Sequence, residues 1–338
     1  MSDHKIRVAI NGFGRIGRSV LRALYENEYH RELQVVAINE LADIDSVSYM
    51  LRYDSTHGRF PGTVEVVGHD RLVVNGDNIR VYCHREPEHL DWGSLGVDLV
   101  LECSGQIRRR SDAEKHLQQG AGKVLISNPA DKAVDNTIIF GINENTLTPD
   151  QRIVSNGSCS TNCLVPILTL IHQAFGIQAG VTTTIHSAMN DQPVIDAYSS
   201  DLRRTRSAVQ SIIPVDTGLP KGIARLMPEL EGKIESLHVR VPTINVSLLD
   251  VSLQLTQATT SQAVNELIQS ATNDRYCGLV GMTYEPHASI DFNHDPRSAI
   301  VDATQTRVSG GTLLKLMLWF DNEWGFANRM LDTALCMK

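Results

Sequence analysis

The chain has 338 residues, of which 42% are hydrophobic and 21% are charged, and its net charge is -8. This length exceeds a typical domain of roughly 50–250 residues, so we expect two domains, each with enough apolar side chains for its own core. The acidic balance argues against a nucleic-acid-binding surface, which needs clustered cations.

No apolar run approaches the about 18 residues of a membrane-spanning helix, and the first residues lack the apolar segment of a signal peptide. The six cysteines are scattered, which favours reduced thiols and a cytoplasmic location. We find no second pair at zinc-site spacing, so no metal site is predicted. The cysteines are Cys83, Cys103, Cys159, Cys163, Cys277 and Cys336.

Strands and helices alternate in the first half of the chain. Short β-branched runs predict strands, and residues 15–25 have helical apolar spacing. Near-continuous apolar strands that alternate with helices indicate a parallel sheet covered on both faces. A more polar stretch, 63–82, carries a turn signal at Asn75-Gly76-Asp77 and predicts a hairpin at the sheet edge. The predicted strands are 6–10, 34–38, 98–102 and 123–126.

A glycine pattern follows the first predicted strand and opens the first predicted helix. Gly12, Gly14 and Gly17 form the dinucleotide-binding fingerprint G-x-G-x-x-G. Gly12 permits the turn, Gly14 lets a pyrophosphate approach the backbone, and Gly17 lets the helix lie close to the strand. Glu40 ends the second strand, where a carboxylate binds ribose hydroxyls and favours NAD over NADP. The alternatives are a purely structural turn and a solvated strand end.

The second half has a different pattern. Residues 239–255 are strand-like with alternating polarity, 312–320 predict another strand, and 322–335 a closing helix. We therefore predict an α/β protein with an N-terminal Rossmann-type NAD-binding domain and a C-terminal α+β domain. The first domain covers 1–158 and is closed by the C-terminal helix 322–338, and the second covers 159–321.

Cys159 is the candidate nucleophile. It follows a predicted strand and lies at the start of a helix predicted from about Thr161, where the positive end of the helix dipole stabilises a thiolate. His186, at the end of a β-rich segment, could form an ion pair with it and move protons. Taken alone, each is more often structural, and only the joint context favours catalysis. Cys163, one turn on, is interpreted as a core residue.

Five runs of sequence resemble glyceraldehyde-3-phosphate dehydrogenases, and the resemblance spans essentially the whole chain. It implies NAD-dependent oxidation of a small phosphorylated aldehyde, with Cys159 as nucleophile and His186 as the residue that activates it. It also implies a homotetramer whose C-terminal domain is catalytic and mediates oligomerisation, and no nucleic-acid or membrane partner. The runs are AINGFGRIGR, SNGSCSTNC, TTTIHSAMNDQ, LHVRVPT and DNEWGFANRM.

The same resemblance assigns further contacts to individual residues. Those implied for the substrate are Ser158, Ser160, Arg204, Thr217, Gly218 and Arg240. Those implied for the cofactor are Gly12, Gly14, Arg15, Ile16, Glu40, Arg85 and Asn322. Two departures are notable: Ser160 replaces a usual threonine, and Ile107 lies where the family often has an aromatic residue near the nicotinamide.

Several positions resemble the branch of the family that oxidises D-erythrose 4-phosphate. Met189 stands where glycolytic members have threonine, Glu40 where they usually have aspartate, Asp216 where they have serine and Phe326 where tyrosine is frequent; the run DFNHDP also matches. That branch implies release of 4-phosphoerythronate by water, in pyridoxal 5′-phosphate biosynthesis. The first alternative is a phosphorylating glycolytic enzyme. The second is a non-catalytic NAD-sensing or RNA-binding protein on the same fold.

Overall fold

The computed structural model describes residues 5–338, which divide into two compact units. The first unit comprises the described residues up to Ser158 together with Phe326–Lys338, and the second comprises Cys159–Gly325. Within residues 5–338, no helix is long and apolar enough to cross a membrane.

The first unit is built on a mixed sheet with spatial order β10-β11-β9-β8-β1-β2-β7-β6-β5. Pairing from β10 to β7 is parallel, whereas β7, β6 and β5 pair antiparallel at one edge. The predicted parallel sheet and its edge hairpin are confirmed; β3 and β4 form a separate ribbon. The strands are β1 (Ile6–Asn11), β2 (Leu33–Asn39), β3 (Tyr53–Asp54), β4 (Gly58–Arg59), β5 (Val64–Val67), β6 (Arg71–Val74), β7 (Asp77–Tyr82), β8 (Leu99–Glu102), β9 (Lys123–Ile126), β10 (Asn136–Thr137) and β11 (Ile153–Ser155).

Three helices follow strands of this sheet: α1 (Arg15–Glu26), α2 (Ile44–Arg52) and α3 (Arg110–Gln118). The apolar stripe of α1 that its spacing predicts is buried, with Val20, Leu21 and Leu24 inaccessible to solvent. The chain runs from β1 outward to β2 in one direction and from β8 outward to β9 in the other. The strand order therefore reverses between β1 and β8, and ligands of such sheets bind at the carboxyl ends of the strands at this reversal.

The second unit contains helices α4 (Cys159–Phe175), α5 (Leu219–Leu226) and α6 (Ser261–Thr272) and a second sheet. Its strand order is β13-β14-β12-β15-β19-β17-β16, with β18 paired to β19. Burial alternates along β15, as its polarity pattern predicts for a sheet with one covered face. The strands are β12 (Ile177–His186), β13 (Ile213–Val215), β14 (Ile234–Arg240), β15 (Ser247–Leu255), β16 (Val280–Thr283), β17 (Ala299–Asp302), β18 (Arg307–Ser309) and β19 (Leu313–Phe320).

The single strand predicted over 239–255 is wrong, because the chain leaves the sheet between β14 and β15. Pro242 has no N–H to donate to a ladder, and Val246 has a φ of 64°, which a strand does not allow. The break lets β14 end at Arg240, so that side chain lies at a strand terminus instead of the middle of a long strand.

The C-terminal helix α7 (Trp324–Cys336) begins two residues after the predicted start at 322. In the first unit it is tied to earlier segments by three side-chain hydrogen bonds. Asn27 donates to Asn328 at 2.6 Å, Tyr29 donates to Asp332 at 2.8 Å, and Thr333 donates to Asn156 at 2.8 Å.

Candidate active site

The glycine turn after β1 has the backbone geometry that its sequence predicts. Gly12 has a φ of 87°, and a Cβ there would lie 2.5 Å from the Ser104 backbone. A Cβ on Gly17 would lie 2.2 Å from the Gly12 carbonyl oxygen. Gly14, in contrast, faces open space, with no atom within 4 Å of the Cβ position. Two glycines are therefore required for packing, and the third leaves room for a phosphate to approach the helix terminus.

Glu40 lies beside this turn, at the end of β2. Its carboxylate accepts hydrogen bonds from the backbone N–H groups of Phe13, at 2.8 Å, and Leu41, at 2.6 Å. Glu40 and Arg85 line a cavity of about 660 Å³ together with Gly12, Gly14 and Ile107. A carboxylate, an open glycine and a helix amino terminus on one cavity are the groups that a dinucleotide needs, so the residues present fit NAD.

Arg15 and Ile16 are the first two residues of α1, so their backbone N–H groups lie at its amino terminus. The Arg15 guanidinium is paired with Asp54, and this pairing holds the pKa of the Asp54 carboxyl well below its usual range despite burial. The side chain of Arg15 is therefore engaged within the protein, and its backbone is what the turn offers to a ligand.

In the second unit, Cys159 and His186 lie together as predicted. Cys159 is the first residue of α4, and its Sγ is 3.7 Å from His186 Nε2. His186 is the last residue of β12 and is buried. The helix amino terminus places positive dipole charge at the thiol, and the short Sγ–Nε2 distance permits proton transfer between the two side chains.

Arg240 is adjacent to His186 because β12 and β14 pair in parallel with these two residues in register. The Arg240 guanidinium lies 2.6 Å from His186 Nδ1, and the Ser187 carbonyl oxygen lies 2.8 Å from the same atom. Nδ1 carries either a lone pair that accepts from Arg240 or a proton that it donates to Ser187, so only one of these bonds forms at a time. The choice sets whether Nε2 offers a proton or a lone pair to Cys159.

His238 is a further member of this cluster, and it was not predicted from the sequence. Its ring stacks on His186, with centroids 5.0 Å apart. It precedes Arg240 by two residues on β14, so both side chains lie on one face of the strand. This two-residue spacing is the feature of the sequence that could have predicted His238 beside Arg240.

Burial dominates the ionisation of the cluster. It raises the pKa of the Cys159 thiol, and the nearby Arg240 charge and a hydrogen bond with Ser160 oppose the rise. Burial, with Arg240 and His238, holds the pKa of His186 well below its usual value. Burial and the charges of Arg240 and Arg204 lower the pKa of His238 to about 3. These directions favour a neutral thiol beside a neutral imidazole, whereas the sequence predicted an ion pair.

Arg204, Thr217 and Gly218, which were also predicted to contact the substrate, lie in the same unit. Arg240 is buried and interacts electrostatically with Arg204, whose guanidinium also pairs with Asp191 at 2.6 Å. The Thr217 hydroxyl accepts from Leu219 at 3.2 Å, and Gly218 is the N-cap of α5. The Arg240 charge acts on the Cys159 thiol and the Arg204 charge acts on His238, so the cluster has the positive potential that an anionic substrate requires. Ser158 immediately precedes Cys159 in the chain.

Asn322 is buried, and its amide orientation is fixed by two serines. The hydroxyls of Ser187 and Ser247 donate to Asn322 Oδ1 at 3.0 Å and 2.8 Å. Because Asn322 Oδ1 accepts both hydroxyls, Asn322 Nδ2 is oriented to donate. A hydrogen bond to the carboxamide oxygen of a nicotinamide would need such a donor. Ser187 and Ser247 were not predicted as site residues.

Two family models match the chain. The NAD binding domain of glyceraldehyde 3-phosphate dehydrogenase matches residues 6–110. The C-terminal domain of glyceraldehyde 3-phosphate dehydrogenase matches residues 158–322. The first match contains the glycine turn, Glu40 and Arg85, and the second contains Cys159, His186 and Arg240.

Proposed function

Because the chain belongs to the glyceraldehyde 3-phosphate dehydrogenase family and is an NAD-dependent oxidoreductase, we propose that it oxidises D-erythrose 4-phosphate to 4-phosphoerythronate. We propose Cys159 as the nucleophile. The observation that supports this is that Cys159 begins helix α4 and its sulfur lies 3.7 Å from the buried side chain of His186. On the resemblance to one branch of the family, we assign the reaction to the cytoplasm and to pyridoxal 5′-phosphate biosynthesis.

The first chemical step joins the sulfur to the aldehyde carbon. His186 Nε2 accepts the thiol proton as Sγ attacks, and the product is a thiohemiacetal. We propose that the Cys159 backbone N–H and the newly protonated His186 donate to the developing oxyanion, and that the His186 proton moves to this oxygen and forms the hydroxyl of the thiohemiacetal. The depressed pKa of His186 keeps Nε2 unprotonated, and therefore basic, before the attack.

Oxidation converts the thiohemiacetal to a thioester. Bound NAD supplies the hydride acceptor. His186 takes the hydroxyl proton as the C–H bond electrons leave, so the carbon–oxygen double bond forms again. We propose that Asn322 donates from Nδ2 to the cofactor carboxamide, and that Gly12, Gly14, Arg15, Ile16, Glu40 and Arg85 bind the rest of the dinucleotide.

Water then releases the acid. His186 first releases to solvent the proton that it took during oxidation. Its Nε2 then removes a proton from the attacking water and passes it to the leaving sulfur as the carbon–sulfur bond breaks, which restores the thiol. We propose that Arg240 and Arg204 hold the substrate phosphate, with Ser158, Ser160, Thr217 and Gly218 supplying hydroxyl and backbone donors. Met189 supports a different balance between hydrolysis and phosphorolysis, because by resemblance it lacks the threonine hydroxyl that holds the substrate phosphate in glycolytic relatives.

The substrate assignment is tested by NADH formation with D-erythrose 4-phosphate and with D-glyceraldehyde 3-phosphate, each with and without inorganic phosphate. We expect faster, phosphate-independent oxidation of the tetrose. Strict phosphate dependence with preference for the triose would instead establish the phosphorylating activity. Met189→Thr should introduce phosphate stimulation, and Met189→Leu is the matched control that changes the side chain without adding a hydroxyl.

We also propose that the protein assembles as a homotetramer. A segment of the second unit exposes apolar side chains: Val194, Ile195, Tyr198 and Leu202 are each more than two-thirds exposed, at 68%, 77%, 108% and 80%. Such a cluster is typical of a surface that another subunit covers. Light scattering should give a mass of about four chains. Ile195→Asp should reduce it, whereas Val67→Asp, at an exposed position on β5, should not.

A further inference from the structure

A buried carboxylate binds residues that line the proposed NAD cavity. Glu102 is the last residue of β8 and is inaccessible to solvent. Its Oε1 accepts from the backbone N–H of Ser104, at 2.8 Å, and from the Ser104 hydroxyl. Its Oε2 accepts from Asn11 Nδ2, at 2.6 Å, and binds His116 Nε2, at 3.0 Å. Four donors converge on one carboxylate, which compensates for its burial.

The direction of each bond around Glu102 is determined. Trp92 donates to His116 Nδ1 at 3.0 Å, and an indole can only donate, so the proton of the neutral imidazole is on Nε2 and points to Glu102. An ionised carboxylate can only accept, so Asn11 must present its amide nitrogen to Glu102 and its oxygen to Asn39. Asn39 Nδ2 donates to that oxygen at 2.7 Å.

These polar residues form a row along the carboxyl edge of the sheet. Glu102, Asn11 and Asn39 end β8, β1 and β2, which are adjacent strands. Asn39 exchanges two further bonds with the backbone of His84, just beyond β7, at 2.8 Å and 2.9 Å. Asn11, Asn39 and His84 line the cavity themselves, and Glu102 immediately precedes the cavity residue Cys103.

We propose that Glu102 is a positioning residue for NAD binding, which sets the separation between the glycine turn and the loop 103–106. Asn11 enters the glycine turn and Ser104 belongs to the facing loop, and Glu102 holds both through its two oxygens. The two segments touch, since a Cβ on Gly12 would collide with Ser104. The inference rests on the proposed assignment of this cavity to NAD.

The proposal requires a carboxylate, and an amide of the same shape is not equivalent. In Glu102→Gln, an amide nitrogen facing Asn11 and His116 would meet two donors. If the amide were turned the other way, its nitrogen would face the Ser104 N–H, which is also a donor, whereas the Ser104 hydroxyl could rotate to accept from that nitrogen. The second arrangement leaves one conflict, and that conflict lies in the loop that lines the cavity. The substitution should therefore move the cavity wall with little change in side-chain volume.

The test measures the dissociation constant of NADH by fluorescence, together with KM for NAD, KM for the aldehyde and kcat. Glu102→Gln should raise the NADH dissociation constant and KM for NAD about tenfold. It should leave kcat at saturating NAD and KM for the aldehyde within about twofold of the wild type. Glu114→Gln removes a carboxylate from α3 that pairs with Arg110 on the surface, and should leave all four quantities unchanged.

Two variants of His116, which does not line the cavity, extend the test if Glu102→Gln folds poorly. His116→Leu removes one donor from Glu102 and should raise the dissociation constant about threefold. His116→Gln can accept from Trp92 and donate to Glu102, and should restore near-normal binding. Trp92→Phe removes only the hydrogen bond to His116 Nδ1; it should lower the melting temperature without weakening NADH binding.

The outcomes separate this inference from the cavity assignment. If Glu40→Ala leaves NADH binding unchanged, the cavity is not the NAD site and the proposed function loses its cofactor contacts. If Glu40→Ala weakens binding while Glu102→Gln and His116→Leu only lower the melting temperature, Glu102 is structural and the inference is overturned. If all three variants bind NADH more weakly, and Glu102→Gln and His116→Leu keep a normal kcat, the results support Glu102 as a positioning residue.

Discussion

At Cys159, two physical effects oppose each other. The helix amino terminus and the Arg240 charge stabilise a thiolate, whereas burial of the sulfur destabilises it, and burial is the larger effect. Burial also disfavours the protonated form of His186. When the Cys159 thiol and the His186 imidazole are both neutral, the proton stays on sulfur until an aldehyde binds, and His186 Nε2 can then accept it. In the proposed reaction, the reactivity of Cys159 therefore depends on its pairing with His186 and not on a permanently ionised thiolate.

Cys159→Ala should abolish aldehyde oxidation, because no other sulfur can form the thioester. Cys163 is the matched control, since it lies on the same helix one turn away and is buried. Cys163→Ala should retain activity within a few-fold and lose modest stability. Steady-state NADH formation measures both variants. If Cys159→Ala retained activity comparable to the wild type, or if only Cys163→Ala lost activity, the assignment of Cys159 as the nucleophile would be wrong.

His186→Gln should change the pH dependence as well as the rate. In the wild type the lowered pKa of His186 keeps the base unprotonated, so kcat/KM for the aldehyde should be nearly flat through neutral pH and fall only in acid. Without the base, the reaction needs free thiolate, and the raised pKa of Cys159 means that its fraction grows with pH. The variant's rate should rise about tenfold per pH unit from neutral pH. A flat profile for the variant would show that His186 is not the base.

The residue types of the site were predictable, but its ionisation was not. A cysteine at a helix start and a histidine at a strand end follow from local patterns, and both lie where the sequence predicted. Their pKa shifts depend on burial and on Arg240 and His238, which lie more than fifty residues further along the chain. Local sequence carries no measure of burial by distant segments.

At the scale of elements, the carboxyl ends of parallel strands carry residues of both proposed sites. In the first unit β8, β1 and β2 end in Glu102, Asn11 and Asn39, and in the second β12 and β14 end in His186 and Arg240. The strands of the first sheet were predicted closely because apolar β-branched runs mark buried strands. The register that pairs His186 with Arg240 was not predicted, because periodicity identifies strands without identifying which strands are neighbours.

Helix α7 should contribute strongly to stability, although it is the last element of the chain. Leu331 is inaccessible to solvent, so Leu331→Ala should lower the free energy of unfolding by about 2–5 kcal/mol through the lost transfer energy and the cavity left behind. Cys336, exposed on the same helix, is the control: Cys336→Ala should change stability by less than about 0.5 kcal/mol. Chemical denaturation measures both. Equal effects would mean that α7 is not packed as described.

At the scale of the whole molecule, the division into two units was suggested by length and by the change of pattern near residue 158. What sequence could not supply is the set of long-range polar contacts within each unit. Glu102 and Asn11 are separated by 91 residues, and Tyr29 and Asp332 by 303. A buried polar residue is stable only with a partner, yet nothing in the local pattern names that partner. Family resemblance supplied the proposed ligand contacts but not this supporting network.

The buried histidines should make folding stability fall in mild acid. The pKa of His238 is about 3 in the folded protein, against about 6.5 for an exposed histidine. Between these values the unfolded chain binds a proton at this position that the folded chain does not, so stability falls as pH decreases from 6.5 toward 3. The slope from one such group is about 1.4 kcal/mol per pH unit.

His238→Phe tests this linkage while keeping an aromatic ring against His186. Above pH 7 the variant should differ from the wild type only by a constant, because neither carries a proton at this position. Between pH 6 and 4 the wild type should lose stability more steeply than the variant, by the slope of one proton. Denaturant unfolding at a series of pH values gives both curves. If the two remain parallel down to pH 4, His238 is protonated in the folded state, and burial does not control the charge of this cluster.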